Sequence, residues 1–185
     1  QIVWKKNTKE AVWTEIVSEK IRKQKELLEI FGKEESKVLS SYLEKIEWGD
    51  KTNREGHAAK VYFNALFGQD FTRTEDNCIN AALNYGYSIV LSAFTREITV
   101  NGYLTQLGIF HDNMFNQFNL ASDFMEPFRV LVDKKVCKME LLEFEHSEKM
   151  QLVDILNQEV QIDGRIQYVN NAIKISVSYT HLTLP

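Results

Sequence analysis

Three stretches of this sequence carry the residue types that metal-assisted phosphate chemistry needs. They are Asn53-Arg54-Glu55-Gly56-His57-Ala58-Ala59-Lys60, Gly108-Ile109-Phe110-His111 and Ser122-Asp123-Phe124-Met125-Glu126-Pro127-Phe128-Arg129. Each sets a carboxylate or an imidazole beside a basic residue or a tight turn. Together they supply one histidine and two or three acids, the minimum for holding a divalent cation against a phosphate. Taken singly, each also has an ordinary structural reading. Glu55 in the first turn of a helix complements the helix dipole. His111, in a loop bounded by glycine and asparagine, suits a surface or hydrogen-bonding role. Asp123 and Glu126 share a helical face, where two like charges repel by about a few tenths of a kcal/mol unless a cation lies between them. No Cys/His or Ser/His pair stands out as a nucleophile with its base.

Positioning these groups falls to helices. Asn7-Thr8-Lys9-Glu10 reads as a helix start, with an acid three residues after a capping candidate. Val12, Trp13, Ile16, Val17, Ile21, Gln24, Leu27, Leu28 and Phe31 then recur on one face until Gly32 ends the helix. A second helix is predicted over 34–46, closed by Gly49-Asp50. Thr52 or Asn53 caps a third, which runs through Tyr62 to Leu66 and stops at Gly68, with Glu55 in its first turn. The stretch 77–98 is apolar and rich in small residues (Ala81, Ala82, Gly86, Ser88, Ala93), as a buried central helix would be. Asn101-Gly102 marks a turn, and 108–119 reads as irregular. A further helix begins near 119–122 and carries Phe124, Phe128, Leu131 and Val132 inward, with Pro127 either in its first turn or kinking it. Ser147-Glu148 opens a helix to about Leu156. The alternation over 160–169 around Asp163-Gly164 predicts a hairpin, and the helical pattern resumes over 170–174. The expected fold is therefore mainly α: a single helical bundle with one small β-hairpin near the C-terminus.

Composition narrows the function classes. The 185 residues are 44% hydrophobic and 11% aromatic, with two prolines and eight glycines, which suits one domain of long helices. No run approaches the roughly 18 apolar residues of a membrane span. Cys78 and Cys137 are far apart and neither sits in a ligand-spaced pair, which argues against a zinc site or a disulfide framework and for a reducing, cytoplasmic compartment. The net charge of −4 is unfavourable for a free-standing nucleic-acid binder, so cations must be clustered locally or supplied by a partner. The start, Gln1-Ile2-Val3-Trp4-Lys5, is neither a signal peptide nor an initiating methionine and suggests that an upstream portion is missing. The last eight residues, 178–185, are read as a non-native tail that breaks the helical pattern.

The order and wording of the segments closely resemble the CRISPR-adaptation integrase, the Cas protein numbered one, in the form found in type II systems. The matching stretches begin with Trp4-Lys5, Val12-Trp13 and Asn53-Arg54-Glu55-Gly56-His57. They continue through Tyr62-Phe63-Asn64, Leu66-Phe67-Gly68, Phe71-Thr72-Arg73, Asn80-Ala81-Ala82-Leu83-Asn84-Tyr85-Gly86-Tyr87 and Phe94-Thr95-Arg96-Glu97. They close with Thr105-Gln106-Leu107-Gly108-Ile109-Phe110-His111, 115–123 and Met125-Glu126-Pro127-Phe128-Arg129. The resemblance spans residues 1–177 and is dense from Asn53 to Val132.

It implies that 1–177 is a helical catalytic domain, without the family's N-terminal β-rich domain, and that an exposed apolar patch marks where that domain docks. By the same resemblance Glu55, His111 and Glu126 hold a divalent metal, Mg²⁺ or Mn²⁺. Asp123 is a further catalytic acid that orients a ligand or a metal-bound water, and His57 is structural. The implied activity is metal-dependent strand transfer, with associated endonuclease activity, in which the 3′-hydroxyl of a captured DNA attacks a phosphodiester at the edge of a CRISPR repeat. Arg54, Lys60 and Arg129 are candidate phosphate contacts. The implied partners are a second copy, the small Cas protein numbered two, double-stranded DNA and, in type II systems, an accessory ring-forming protein; no membrane is involved. Two other readings stand beside this one: a non-catalytic interaction subunit of the adaptation complex, and a general metal-dependent phosphodiesterase.

Overall fold

A long amphipathic helix and a long central helix organise the chain. The structure, a computed structural model, describes residues 4–162 and 164–183. Helix α1 (Lys6–Ile30) buries Trp13, Ile16, Val17, Ile21, Leu27 and Leu28, the stripe expected from the 3.6-residue period. That buried face also carries Lys20 and Gln24. The helix starts at Lys6 with no side-chain cap, so Asn7 lies inside it. Glu10 cannot close a capping box because it turns toward Lys6, at 3.8 Å, and accepts from the Trp48 indole N–H at 3.2 Å.

Helix α2 (Ser36–Leu43) is shorter than the 34–46 expected. A 3-10 turn (Trp48–Asp50) follows, where Gly49 takes φ +71°. The turn delivers the Asp50 carboxylate to the start of α3 (Arg54–Phe67), accepting from the N–H groups of Arg54 and Glu55 at 2.8 and 3.0 Å. Of the two candidate caps, Asn53 is the one, accepting from the Gly56 N–H at 3.2 Å.

Helix α4 (Cys78–Val100) is capped by Asn77 and packs against α5 (Asn119–Met125), α6 (Arg129–Met139), α7 (His146–Val153) and α8 (Val169–Thr183), the central place its small residues predicted. A Cβ at Gly86 would collide with Val132 of α6, so glycine sets the closeness of that crossing. Of the two places that the sequence leaves for Pro127, the structure takes the kink. Pro127 lacks the N–H for a continuous ladder, and Glu126–Phe128 forms a 3-10 turn between α5 and α6. This turn packs on α1 and brings Glu126 to it.

Helix α7 opens one residue before the expected Ser147, where Glu145 and Glu148 form a capping box, and passes at Asp154–Asn157 into a 3-10 turn. Strands β1 (Glu159–Ile162) and β2 (Arg165–Tyr168) form the expected antiparallel hairpin, with Ile162 opposite Arg165. Gly164 takes φ +74° in its turn, and the Asp163 of the predicted pair lies outside the described residues. The hairpin's alternation does not bury β2, whose Ile166 is 71% exposed. Helix α8 continues through Thr183, past the break expected at Ser178. The most exposed apolar side chains of the inter-helix segments include Met114 and Phe115, on the irregular stretch between α4 and α5.

Candidate metal and phosphate site

Two carboxylates from distant parts of the chain converge on the buried ammonium of Lys20. Midway along α1, Lys20 is flanked by the core residues Val17 and Ile21 and is only 8% exposed. Its Nζ donates to Glu55 Oε1 and, at 2.5 Å, to Glu126 Oε2. Glu55 comes from the first turn of α3, held there by Asp50. Glu126 comes from the 3-10 turn at Pro127 and is 5% exposed. Its second oxygen accepts from Arg129 Nε, and Nη2 also lies 3.0 Å away. Burial pulls the Glu126 carboxyl upward, but Lys20 and Arg129 outweigh it and hold the group below the ordinary glutamate value. Burial likewise pulls Lys20 down, yet Glu126 and Glu55 together hold its ammonium above the usual lysine value.

Asp123 holds His111. The fully buried Asp123 carboxylate accepts from His111 Nδ1 at 2.6 Å and from the backbone N–H groups of Ile109, Phe110 and His111 at 2.6, 3.2 and 3.1 Å. The loop can fold over the carboxylate because residue 108 is glycine; a Cβ there would collide with the His111 carbonyl. Asn119 Nδ2 ties the same loop by donating to the carbonyls of Gln106 and Asn113, each at 3.0 Å. Helix α1 supplies its floor: Trp13 stacks on Phe110 with centroids 4.2 Å apart and meets the His111 ring edge-on at 6.0 Å. With Nδ1 engaged, Nε2 is the ring nitrogen left for a ligand. His111 lies close enough to Glu126 for each charge to act on the other. Asp123 thus sits beneath the imidazole as its support.

The Asp123 hydrogen bond holds the imidazole above the ordinary histidine value, against the opposing pull of burial. Because the folded value is raised, the stability from this pair is complete below about pH 6.5 and is lost as pH rises through the folded pKa. Asp123→Asn is expected to lower the His111 pKa toward its ordinary value in an imidazole ¹H–¹⁵N titration. An unchanged titration would show that the carboxylate does not set the charge of the ring.

Glu55 and Glu126 line a cavity of about 220 Å³ together with Lys20, Arg73, Tyr87, Arg129 and Asp133. Asp133 lies at its base, fully buried, and accepts from the hydroxyls of Tyr62, at 2.8 Å, and Tyr87. Burial raises its carboxyl to about 6, against the two hydroxyls. The sequence-nominated phosphate contacts divide. Arg129 lines the cavity, with its charge engaged by Glu126. Arg54 instead stands 5.6 Å over the Tyr42 ring, and Lys60 is exposed; neither lines the cavity. His57 is exposed, with its ring 6.3 Å from that of Tyr42. Lys20, Arg73 and Asp133 are the residues that sequence reasoning missed. Lys20 had a findable signal, a lysine in the apolar stripe of α1.

The donor types suit a divalent cation, although their positions here do not form a ligand set. Among the described residues no group of His, Cys, Asp and Glu is already drawn into a ready ligand set. Two carboxylates from distant elements nevertheless meet at one cationic point, the Lys20 ammonium. Two carboxylates and an imidazole nitrogen, without thiolate, suit Mn²⁺ or Mg²⁺.

The sequence profile of the family described as CRISPR associated protein Cas1 matches residues 2–143. The CRISPR-associated endonuclease Cas1 of Neisseria meningitidis serogroup C (strain 8013) is 43% identical over 129 residues, covering 69% of this chain and 42% of that protein. The chain therefore spans less than half the length of this relative. Among solved structures, a casposase bound to integration product shares the fold with a TM-score of 0.78 at 20% identity, over 97% of this chain and 65% of that one. A Cas6-RT-Cas1–Cas2 complex does so with a TM-score of 0.72 at 20% identity, over 95% of this chain and 24% of that one. With the profile covering most of its length, the chain belongs to the Cas1 family of CRISPR associated proteins.

Proposed function

We propose that this chain carries the metal-binding catalytic centre of a DNA integrase that joins captured DNA to a CRISPR repeat by strand transfer. The observation that carries the reading is the meeting of Glu55 and Glu126 at one cationic point beside an imidazole that Asp123 holds in place. Glu55, Glu126 and His111 Nε2 would hold Mg²⁺ or Mn²⁺ once Lys20 withdraws. When bound, the metal would polarise the scissile phosphodiester and stabilise the charge that develops on it.

The chain's own groups do the rest. Asp123 fixes the imidazole with Nδ1 protonated and Nε2 free. Arg129 stands 4.7 Å over the Tyr87 ring and, after Lys20, is the second cation that holds the Glu126 carboxyl below the ordinary glutamate value. Released from the carboxylates, Lys20 can pair with a phosphate oxygen. In the reaction, the incoming 3′-hydroxyl oxygen bonds to phosphorus and gives up its proton. The original P–O3′ bond breaks, and the leaving 3′-oxygen takes a proton. No protein nucleophile is required. Burial pushes the Cys137 thiol up, away from the reactive thiolate.

DNA and the small Cas2 protein are supported as partners by the two structural likenesses, one bound to integration product and one a complex that includes Cas2. A homodimer and a type II ring protein follow from the sequence resemblance. No helix among the described residues is long and apolar enough to cross a membrane. A competing reading, a non-catalytic subunit with a structural ion cluster, is favoured by one observation: Lys20 already satisfies both carboxylates. A strand-transfer assay with Mn²⁺ and a labelled 3′-hydroxyl oligonucleotide decides between them. Repeat-bearing targets should be joined at the repeat edge, and random targets should not. Cleavage without repeat preference would favour a general phosphodiesterase.

A further inference from the structure

Arg73 lies between α3 and α4 and lines the same cavity as Glu55 and Glu126. Uncharged groups hold its guanidinium. Nη1 donates to Asn80 Oδ1, Nη2 donates to Asn84 Oδ1 at 2.7 Å, and the central carbon stands 5.4 Å over Tyr87 and 5.6 Å over Phe63. These supports are themselves fixed. Asn80 is 3% exposed, and its Nδ2 donates to the carbonyls of Thr72 and Glu75 at 2.8 and 2.9 Å. The Tyr87 hydroxyl is tied to Asp133.

The other two cations of the cavity are matched by carboxylates, Lys20 by Glu55 and Glu126, and Arg129 by Glu126. Among the described residues Arg73 forms no ion pair. Amide oxygens and ring faces orient a guanidinium without cancelling its charge. The result is a preorganised planar fork in a partly enclosed cavity, with donors to spare. Such a cation does little for folding and much for an arriving anion, and the fork matches the paired oxygens of a phosphate.

We propose that Arg73 is an anion subsite that takes a non-bridging oxygen of a DNA phosphodiester and seats the strand beside the Glu55–Glu126 pair. This rests on the DNA reading above and names a residue through which the cavity holds that substrate. The Asn80, Asn84 and Tyr87 side chains act as positioning residues for it.

The test is binding of a fluorescein-labelled duplex oligonucleotide in EDTA, measured across NaCl concentrations, so that the metal plays no part. Arg73→Gln should weaken binding about tenfold at 0.1 M salt and flatten the plot of log K against log salt by about 0.9, one phosphate contact. Arg73→Lys should recover the slope but not the full affinity, because a point charge lacks the fork. Asn84→Ala, which loosens the guanidinium while keeping its charge, should lose affinity at unchanged slope. It serves as the second test should Arg73→Gln melt early. Arg73→Gln with wild-type affinity and slope would overturn the subsite and leave the DNA reading standing. Pyrophosphate bound by the wild type but not by Arg73→Gln in ³¹P NMR, with no DNA binding by either, would keep the subsite and overturn the DNA reading. A wild type that binds neither probe would overturn both.

Discussion

Glu126→Gln is expected to lower strand transfer onto repeat-bearing DNA by about 10²–10⁴-fold while leaving DNA binding in EDTA within about twofold. Metal polarisation of a phosphoryl group supplies several kcal/mol of transition-state stabilisation, and each 1.36 kcal/mol is a factor of ten in rate. Glutamine keeps the shape of Glu126 and an acceptor for Lys20 or Arg129, but loses the charge that a hard divalent cation requires. DNA binding in EDTA should persist because the change removes a negative charge from a cavity that receives phosphate. If instead the variant keeps more than about a tenth of wild-type activity, Glu126 is a structural partner of Lys20 and Arg129.

Lys20→Met should act in opposite directions on the two states of the site. Without metal, Glu55 and Glu126 lose the cation between them, and breaking a buried pair in this way costs about 3–5 kcal/mol. Glu126 retains Arg129 and Glu55 is partly exposed, so the lower figure applies. For a chain of this size that is roughly 6–12 °C in melting temperature. With Mn²⁺ the same variant should recover most of the loss, because the competing charge is gone. Its manganese affinity should rise at least about tenfold, and its Mn²⁺-induced thermal shift should exceed that of the wild type. Calorimetric titration and melts with and without Mn²⁺ measure both. Unchanged manganese affinity in Lys20→Met would mean that the ammonium and the metal do not share one position.

Much of this architecture is legible in the sequence because local rules agree with the tertiary outcome. The apolar period of α1, the Asn53 cap, the small-residue run of α4 and the hairpin around residue 164 all act through short-range geometry. Where long-range contacts decide, the sequence misleads. Asn7-Glu10 has the form of a capping box, but Glu10 is drawn to Lys6 and the Trp48 indole. The kink that the sequence allows at Pro127 is realised, but its turning of Glu126 onto α1 is set by a long-range contact that no local rule selects.

The candidate site divides in the same way. Glu55 and Glu126 meet, and Asp123 takes its place under the His111 ring. Arg54 and Lys60, chosen for being near Glu55 in sequence, do not reach the cavity. Arg73 arrives from a loop whose orientation depends on Asn80, Asn84 and two aromatic rings, partners that no spacing rule selects.

The most direct test is a manganese titration of the wild type, Glu55→Gln and His111→Ala, followed by calorimetry and thermal melts. The wild type should bind one Mn²⁺ and be stabilised by it, and each substitution should weaken binding at least about tenfold and reduce the shift. A wild type that gains no stability from Mn²⁺, or variants that bind it equally well, would contradict a shared metal site and leave Lys20 with its two carboxylates as a structural ion cluster.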